Sequence, residues 1–238
     1  MTTSSTSSPT IVFDLDGTLV DTAPDLVDTL NVIFTREGLP AIPYDYARVM
    51  IGGGARAMIE RGLKAEARSC TPEVMERLFS DFLDHYAAHI ADRSRPFPGL
   101  HQALDRMAAR GCRFAVCTNK LEWLSVRLLD ALGLSSRFEA VCGQDTFGIQ
   151  KPDARVLRQT IERAGGSLDC AVMIGDSATD VRTARNAGIP VVAVSFGYTE
   201  TPIELTSPDR LIDHFEDLPD AVFDLLSHRA ATLHSRAP

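Results

Sequence analysis

Apolar residues along this chain fall into two alternating textures. Short continuous apolar runs stand at Ile11-Val12-Phe13, Phe114-Ala115-Val116-Cys117, Ala140-Val141-Cys142, Ala171-Val172-Met173-Ile174 and Val191-Val192-Ala193-Val194, with Leu211-Ile212 a weaker sixth. Runs this short, without polar alternation, read as strands buried on both faces. Between the later runs the apolar positions recur with helical spacing over residues 100–110, 122–132, 154–164 and 179–187. Gly111, Gly133, Gly165 and Gly188 stand where each of those helices should stop. Strand and helix in alternation predict an α/β fold with a parallel sheet covered on both faces.

The alternation breaks between the first and second runs. From Thr22 to about Arg93 only helical spacing is found, including segments over 55–66 and 72–90. Thr22-Ala23-Pro24-Asp25 reads as a capping box, with Thr22 as cap, Pro24 in the first turn and Asp25 reaching back. The insertion is too long for a crossover loop and apolar enough for a small core of its own. Residues 22–95 are therefore expected to form a helical cap. Its return falls at Arg95-Pro96-Phe97-Pro98-Gly99, where two prolines and a glycine stop regular structure. The sheet domain is then discontinuous, 10–21 and 96–227. A Ser/Thr-rich leader over 1–9 is expected to be disordered, and a polar tail over 228–238 mobile.

Composition narrows the function classes. Hydrophobic residues at 45% and charged residues at 24% suit a soluble globular protein. A formal charge of −8 argues against nucleic-acid or anionic-membrane partners, which need a clustered basic excess. Apolar runs fall well short of the ~18 residues that cross a bilayer, and the start has neither the basic nor the apolar region of a signal peptide. Five cysteines without a CxxC pair suggest a reducing cytoplasm, with Cys117 and Cys142 as buried structural thiols. The expectation is a cytoplasmic monomer or homodimer. An acidic protein that binds phosphate must supply positive charge locally, through a metal ion or a few placed cations.

In an open parallel sheet, ligands bind beyond the carboxyl ends of the strands. The first strand delivers Asp14-Leu15-Asp16-Gly17-Thr18 there, the second Thr118-Asn119-Lys120, and the fourth Gly175-Asp176-Ser177 with Asp180 a turn later. Lys151-Pro152-Asp153 lies in the connection after the third. Carboxylates suit a hard divalent cation such as magnesium, with Asp14 and Asp176 as the ligand pair and the Asp16 carbonyl as a further donor. With charge repulsion offset by the cation, Asp14 can attack phosphorus. Asp16 can then protonate the leaving oxygen and deprotonate the hydrolytic water. Thr118 and Lys151 would hold the non-bridging oxygens. Each group also has a plainer role: Asp14 and Asp16 as turn formers, Ser177 and Asp180 as a capping box, Lys151 as a solvated loop lysine.

Taken together, these residues resemble the haloacid dehalogenase-type phosphohydrolase superfamily. Asp14-Leu15-Asp16-Gly17-Thr18-Leu19-Val20-Asp21 is similar to its first motif, and Thr118-Asn119 to its second. Lys151-Pro152-Asp153 and Gly175-Asp176-Ser177-Ala178-Thr179-Asp180 are similar to the third and fourth. The resemblance implies a Rossmann-like core with a helical cap inserted after the first strand. It also implies Asp14 as nucleophile, Asp16 as acid/base, and magnesium held by Asp14, the Asp16 carbonyl and Asp176. Thr118, Asn119 and Lys151 are then substrate-binding, with Asp180 in support. Asp16 sets the chain apart from the dehalogenase branch, which lacks that carboxylate.

Within the superfamily the chain is most similar to bacterial phosphoglycolate phosphatases, on Ile51-Gly52-Gly53-Gly54-Ala55, Thr118-Asn119-Lys120, Gly143-Gln144-Asp145-Thr146-Phe147 and Ser195-Phe196-Gly197-Tyr198. It departs from them at Gly53, often Asn, and at Ala154, often Pro. The implied reaction is hydrolysis of 2-phosphoglycolate to glycolate and phosphate. Alternatives are another small phosphate ester, a mutase of the β-phosphoglucomutase kind, or an idle phosphate-binding protein. Gly52-Gly53-Gly54 opens a cap helix whose free N–H groups favour an anion, and Arg56 is the candidate for the substrate carboxylate, or else a surface arginine. His85 and His89 read as a solvated helix face, and Trp123, Val126 and Leu129 to Leu132 as core.

Overall fold

The computed structural model describes residues 8–199 and 201–236, with side chains up to residue 231. In chain order the elements are β1 (Thr10–Phe13), β2 (Val20–Asp21), α1 (Ala23–Arg36), α2 (Tyr44–Arg48), α3 (Ala55–Ala65), α4 (Pro72–Ala88) and β3 (Arg95–Pro96). There follow α5 (Leu100–Ala108), β4 (Arg113–Cys117), α6 (Glu122–Ala131), β5 (Ala140–Cys142), α7 (Ala154–Arg163), β6 (Ala171–Gly175), α8 (Ala178–Ala187), β7 (Val191–Val194), β8 (Arg210–Ile212) and α9 (Leu218–Arg236).

The six apolar runs become one six-stranded sheet in the order β5-β4-β1-β6-β7-β8, parallel at every pairing. The apolar runs are continuous because both faces are covered. Ile11, Phe13, Val116 and Ile174 enter one buried cluster. Val12, Ala115, Cys117 and Met173, one residue out of phase, enter the other. From β1 the chain fills one flank of the sheet with β4 and β5, then crosses to the other flank with β6. The reversal leaves a crevice beside the carboxyl end of β1, where ligands bind in such folds.

The helices α1 to α4 are inserted between β2 and β3, which pair antiparallel (Val20 with Pro96, Asp21 with Arg95). The Phe97 N–H donates to the Leu19 carbonyl at 3.1 Å and extends this ribbon. Pro96 fits there because a two-stranded ribbon leaves an edge where no N–H is required. The chain therefore leaves for the insertion and returns through adjacent strands. Two residues per strand are too few for periodicity to mark, and α2 is likewise a five-residue helix too short to carry a pattern.

Three expectations are corrected. Thr22 makes no side-chain cap bond to α1. Asp25 accepts instead from the Arg93 N–H, the Ser94 N–H (2.8 Å) and the Ser94 hydroxyl (2.6 Å), clamping the start of the insertion to its end. The insertion has no core apart from the rest: Leu26, Phe34, Met58 and Phe82 are continuous with Phe13 and Val116. Trp123 and Val126 are exposed, because α6 turns Leu124, Leu128 and Leu129 inward. α9 continues through the start of the segment expected as a tail, as far as Arg236, and Arg229 donates to the carbonyls of Asp169 (3.1 Å) and Gly188 (2.9 Å).

Of the proposed leader, residues 1–7 lie outside the described residues. Pro9 is held, its carbonyl accepting from the Arg113 N–H at 2.8 Å. His85 is half-buried and shares a hydrogen bond with Thr29, while His89 is exposed and pairs with Asp92. Among the described residues, no helix is long and apolar enough to cross a membrane.

Candidate active site

β1 ends at Phe13, and the Asp14 N–H continues its ladder by donating to the Ile174 carbonyl at 2.9 Å. The Asp14 carboxylate turns back to accept from the Leu15 N–H at 2.7 Å. Gly17 then reverses the chain with φ of +80°, and a Cβ there would meet Asp176 Oδ2 at 2.5 Å. Only glycine satisfies both the backbone angle and the approach. Asp176 comes from the end of β6 and is held from two loops. It accepts from the Thr18 hydroxyl at 3.1 Å and from the Tyr198 N–H at 2.7 Å.

Lys151 reaches the same point from the connection after β5. Its ammonium lies 2.9 Å from Asp14 Oδ1 and 2.6 Å from Asp180 Oδ1, almost wholly buried. Asn119 fixes the backbone of Lys151, accepting from its N–H at 2.9 Å and donating to its carbonyl at 3.3 Å. In this structure Asn119 thus positions the lysine. Asp180 makes two kinds of contact. One oxygen closes a capping box on α8 with Ser177, and the other receives the Lys151 ammonium.

Electrostatics make this cluster short of positive charge. Burial pushes the Asp14 carboxyl up to about 6, with Lys151 pulling it down and the Asp180 and Asp16 carboxylates adding to the rise. Asp176 is pushed well above the carboxylate range by burial and then by Asp180 and Asp14. Burial also works against the charge on Lys151, but Asp14 and Asp180 outweigh it and raise its pKa. Asp14, Asp176 and Asp180 each offer an oxygen, all within 4.8 Å of one another. These three buried carboxyl groups, two of them on the Lys151 ammonium, form an oxygen-only donor set that fits a hard divalent cation.

The Asp16 carboxylate has a different partner. Both of its oxygens accept from the Lys120 ammonium, at 2.8 and 3.2 Å. Lys120 itself is buried, and its ammonium stands 4.4 Å from the ring centroid of Tyr86 on α4. Thr118 lines a small cavity with Asp14, Asp16, Gly52, Gly54, Asn119 and Lys120, so the glycines of the insertion do reach the site. Arg56 does not. Its guanidinium is bound to Glu76 at 2.9 Å and lies over the Phe79 ring.

Sequence reasoning assigns no role to Lys120, Thr18, Tyr86 or Tyr198. Lys120 does carry a signal, following Thr118-Asn119 at the end of a strand. Tyr198 joins three parts of the molecule: its N–H holds Asp176, its hydroxyl bonds Asp21, and it accepts from the Ala23 N–H at 3.0 Å. Arg48 of α2 lies over its ring and donates to the Phe196 and Gly197 carbonyls.

The chain matches the haloacid dehalogenase-like hydrolase family over residues 11–194. It is 50% identical to a phosphoglycolate phosphatase of Caulobacter vibrioides, over 92% of each chain. It is 44% identical to a phosphoglycolate phosphatase of Agrobacterium fabrum, over 96% of this chain and 98% of that one. The crystal structure of a predicted phosphoglycolate phosphatase from Haemophilus somnus superposes with a TM-score of 0.83 at 28% identity, covering 90% of this chain and 97% of the other. With the carboxylate loop, the buried lysine and the acidic cluster at the switch point of the sheet, these matches show that the chain belongs to the haloacid dehalogenase-like hydrolase family.

Proposed function

We propose that this protein is a magnesium-dependent phosphomonoesterase that hydrolyses 2-phosphoglycolate to glycolate and phosphate through an aspartyl-phosphate on Asp14. The observation that carries the reading is the Asp14 carboxylate at the switch point, 2.9 Å from a buried ammonium and beside two further carboxyl groups. The relatives named phosphoglycolate phosphatase support the choice of ester. Asp14, Asp176 and the Asp16 carbonyl would hold Mg2+, which when bound offsets the repulsion between carboxylates and phosphate.

The chain's own residues then divide the work. Asp14 attacks phosphorus, while Lys151 and the Thr118 hydroxyl hold the non-bridging oxygens as charge builds on them. Asp16, next along the cavity, protonates the leaving oxygen and afterwards takes a proton from the water that cleaves the phosphoenzyme. Asn119 and Asp180 keep Lys151 in place. Cys70, Cys112, Cys117 and Cys142 are free thiols, which supports a reducing, cytoplasmic setting.

Phosphate release from a panel of esters with Mg2+ tests the proposal. The expected result is 2-phosphoglycolate among the best substrates, with glycolate and phosphate formed in equal amounts. Interconversion of hexose phosphates without net phosphate release would identify a mutase instead. No turnover of any ester would leave a phosphate-binding protein.

A further inference from the structure

We propose that Lys120 recognises a carboxylate on the leaving group, which makes this residue of the sheet domain the specificity determinant for an acidic phosphate ester. The inference rests on the phosphoglycolate reading and deepens it.

Two adjoining cavities share Asp16, Gly52, Gly54 and Lys120. The first contains Asp14 and Thr118, where phosphorus would sit. A substrate placed there, with its leaving oxygen at Asp16, extends the rest of its leaving group into the second. The wall of that second cavity is largely apolar, built from residues such as Leu26, Ile51, Met58, Phe82 and Leu124. Lys120 is the cation among its lining residues. A carboxylate buried on such a wall needs a charged partner, and Lys120 is positioned to be it.

The ammonium carries three N–H donors. Asp16 accepts from it through both oxygens, and the Tyr86 hydroxyl stands close enough to accept as well. The hydroxyl of Tyr86 stands in the same wall, fully buried and with no hydrogen-bond acceptor among the described residues. Burial pushes that phenol up to about 12, against the pull of the Lys120 ammonium, so at neutral pH it too is a donor. An ammonium and a phenol O–H side by side in one small apolar cavity fit a single carboxylate one carbon beyond the ester oxygen. Arg56, the residue the sequence suggested for this role, is committed to Glu76 and does not line the cavity. The carboxylate role therefore passes from the insertion to the loop after β4.

The test compares 2-phosphoglycolate with its neutral, nearly isosteric amide, 2-phosphoglycolamide, on the parent protein and on Lys120→Met. A charged hydrogen bond made in the complex corresponds to about 10- to 100-fold in kcat/KM. The parent should prefer the acid by that factor, chiefly through KM. In Lys120→Met the preference should collapse towards one, whatever common loss both substrates suffer because Asp16 has lost its partner. Equal loss on both substrates, with the preference intact, would reduce Lys120 to a positioning residue for Asp16 and overturn the proposal. A parent that does not distinguish acid from amide overturns it without any variant. If the parent cleaves neither compound but hydrolyses other esters, the phosphoglycolate reading itself has failed, a result distinct from both.

Discussion

Lys151→Met replaces the ammonium between Asp14 and Asp180 by an apolar side chain of similar length. At an effective dielectric of about 20, contacts of 2.9 and 2.6 Å each give roughly 6 kcal/mol of gross attraction. Desolvation of the buried ions consumes several kcal/mol apiece, so the intact cluster is only modestly stabilising. Removing one partner is a different matter, because Asp14 and Asp180 remain buried without their cation. The expected loss is about 3–5 kcal/mol of unfolding free energy at neutral pH without metal.

Two conditions should shrink that loss. Saturating Mg2+ supplies charge to the same oxygens, and acid lets the carboxylates neutralise by binding protons. Urea unfolding of parent and variant, with and without Mg2+, at neutral pH and near pH 5, measures all four cases. Activity with any ester should fall by about 10²–10³. A stability loss below ~1 kcal/mol that is the same in every condition would refute the electrostatic account of the cluster.

Three further outcomes follow from the same geometry. Burial raises Asp14 from 3.8 to about 6, so the folded protein holds a proton that the unfolded chain releases across that window. Stability without metal should thus fall as pH rises from about 4 to 6, by on the order of 3 kcal/mol, and Mg2+ should raise Tm more at neutral pH than near pH 5; equal Tm shifts would contradict this. Gly17→Ala places a methyl 2.5 Å from Asp176 Oδ2 at positive φ and should cost about 1–3 kcal/mol, with turnover slowed roughly a hundredfold; a parental turnover rate would show that Asp176 has room to move. Asn119→Ala removes the two bonds to the Lys151 backbone and should slow turnover about 10- to 100-fold for acidic and neutral esters alike; a selective effect on KM for the acid would mean Asn119 touches the leaving group.

The sheet and its catalytic edge are legible in the sequence because their signals are local. Each strand is one continuous apolar run, and the polar groups after β1, β4 and β6 follow their runs within a few residues, with Lys151 further along the connection after β5. The contacts that give those groups their roles are not local. Lys120 and Asp16 are 104 residues apart, and Asn119 and Lys151 are 32 apart. Nothing near Lys120 in the chain indicates that a carboxylate waits for it. Helical spacing at Trp123 and Val126 suggests a buried face, but spacing alone does not say which side of α6 meets the sheet. The side carrying Leu124 and Leu128 does. The polar end of α9 has the composition of a tail because its anchors are carbonyls of distant segments, which leave no mark locally. Thr22 and Asp25 fit a capping pattern, yet tying the two ends of the insertion together claims Asp25 first.

Whether Asp14 carries the phosphoryl group is decided by rapid acid quench of a single turnover with 2-phosphoglycolate and Mg2+, followed by mass spectrometry of the digested protein. The expected result is one phosphoryl group on the peptide containing Asp14, rising and decaying at rates consistent with turnover and absent in Asp14→Asn. A phosphoryl group on another residue, or an Asp14→Asn protein that turns over as fast as the parent, would contradict it.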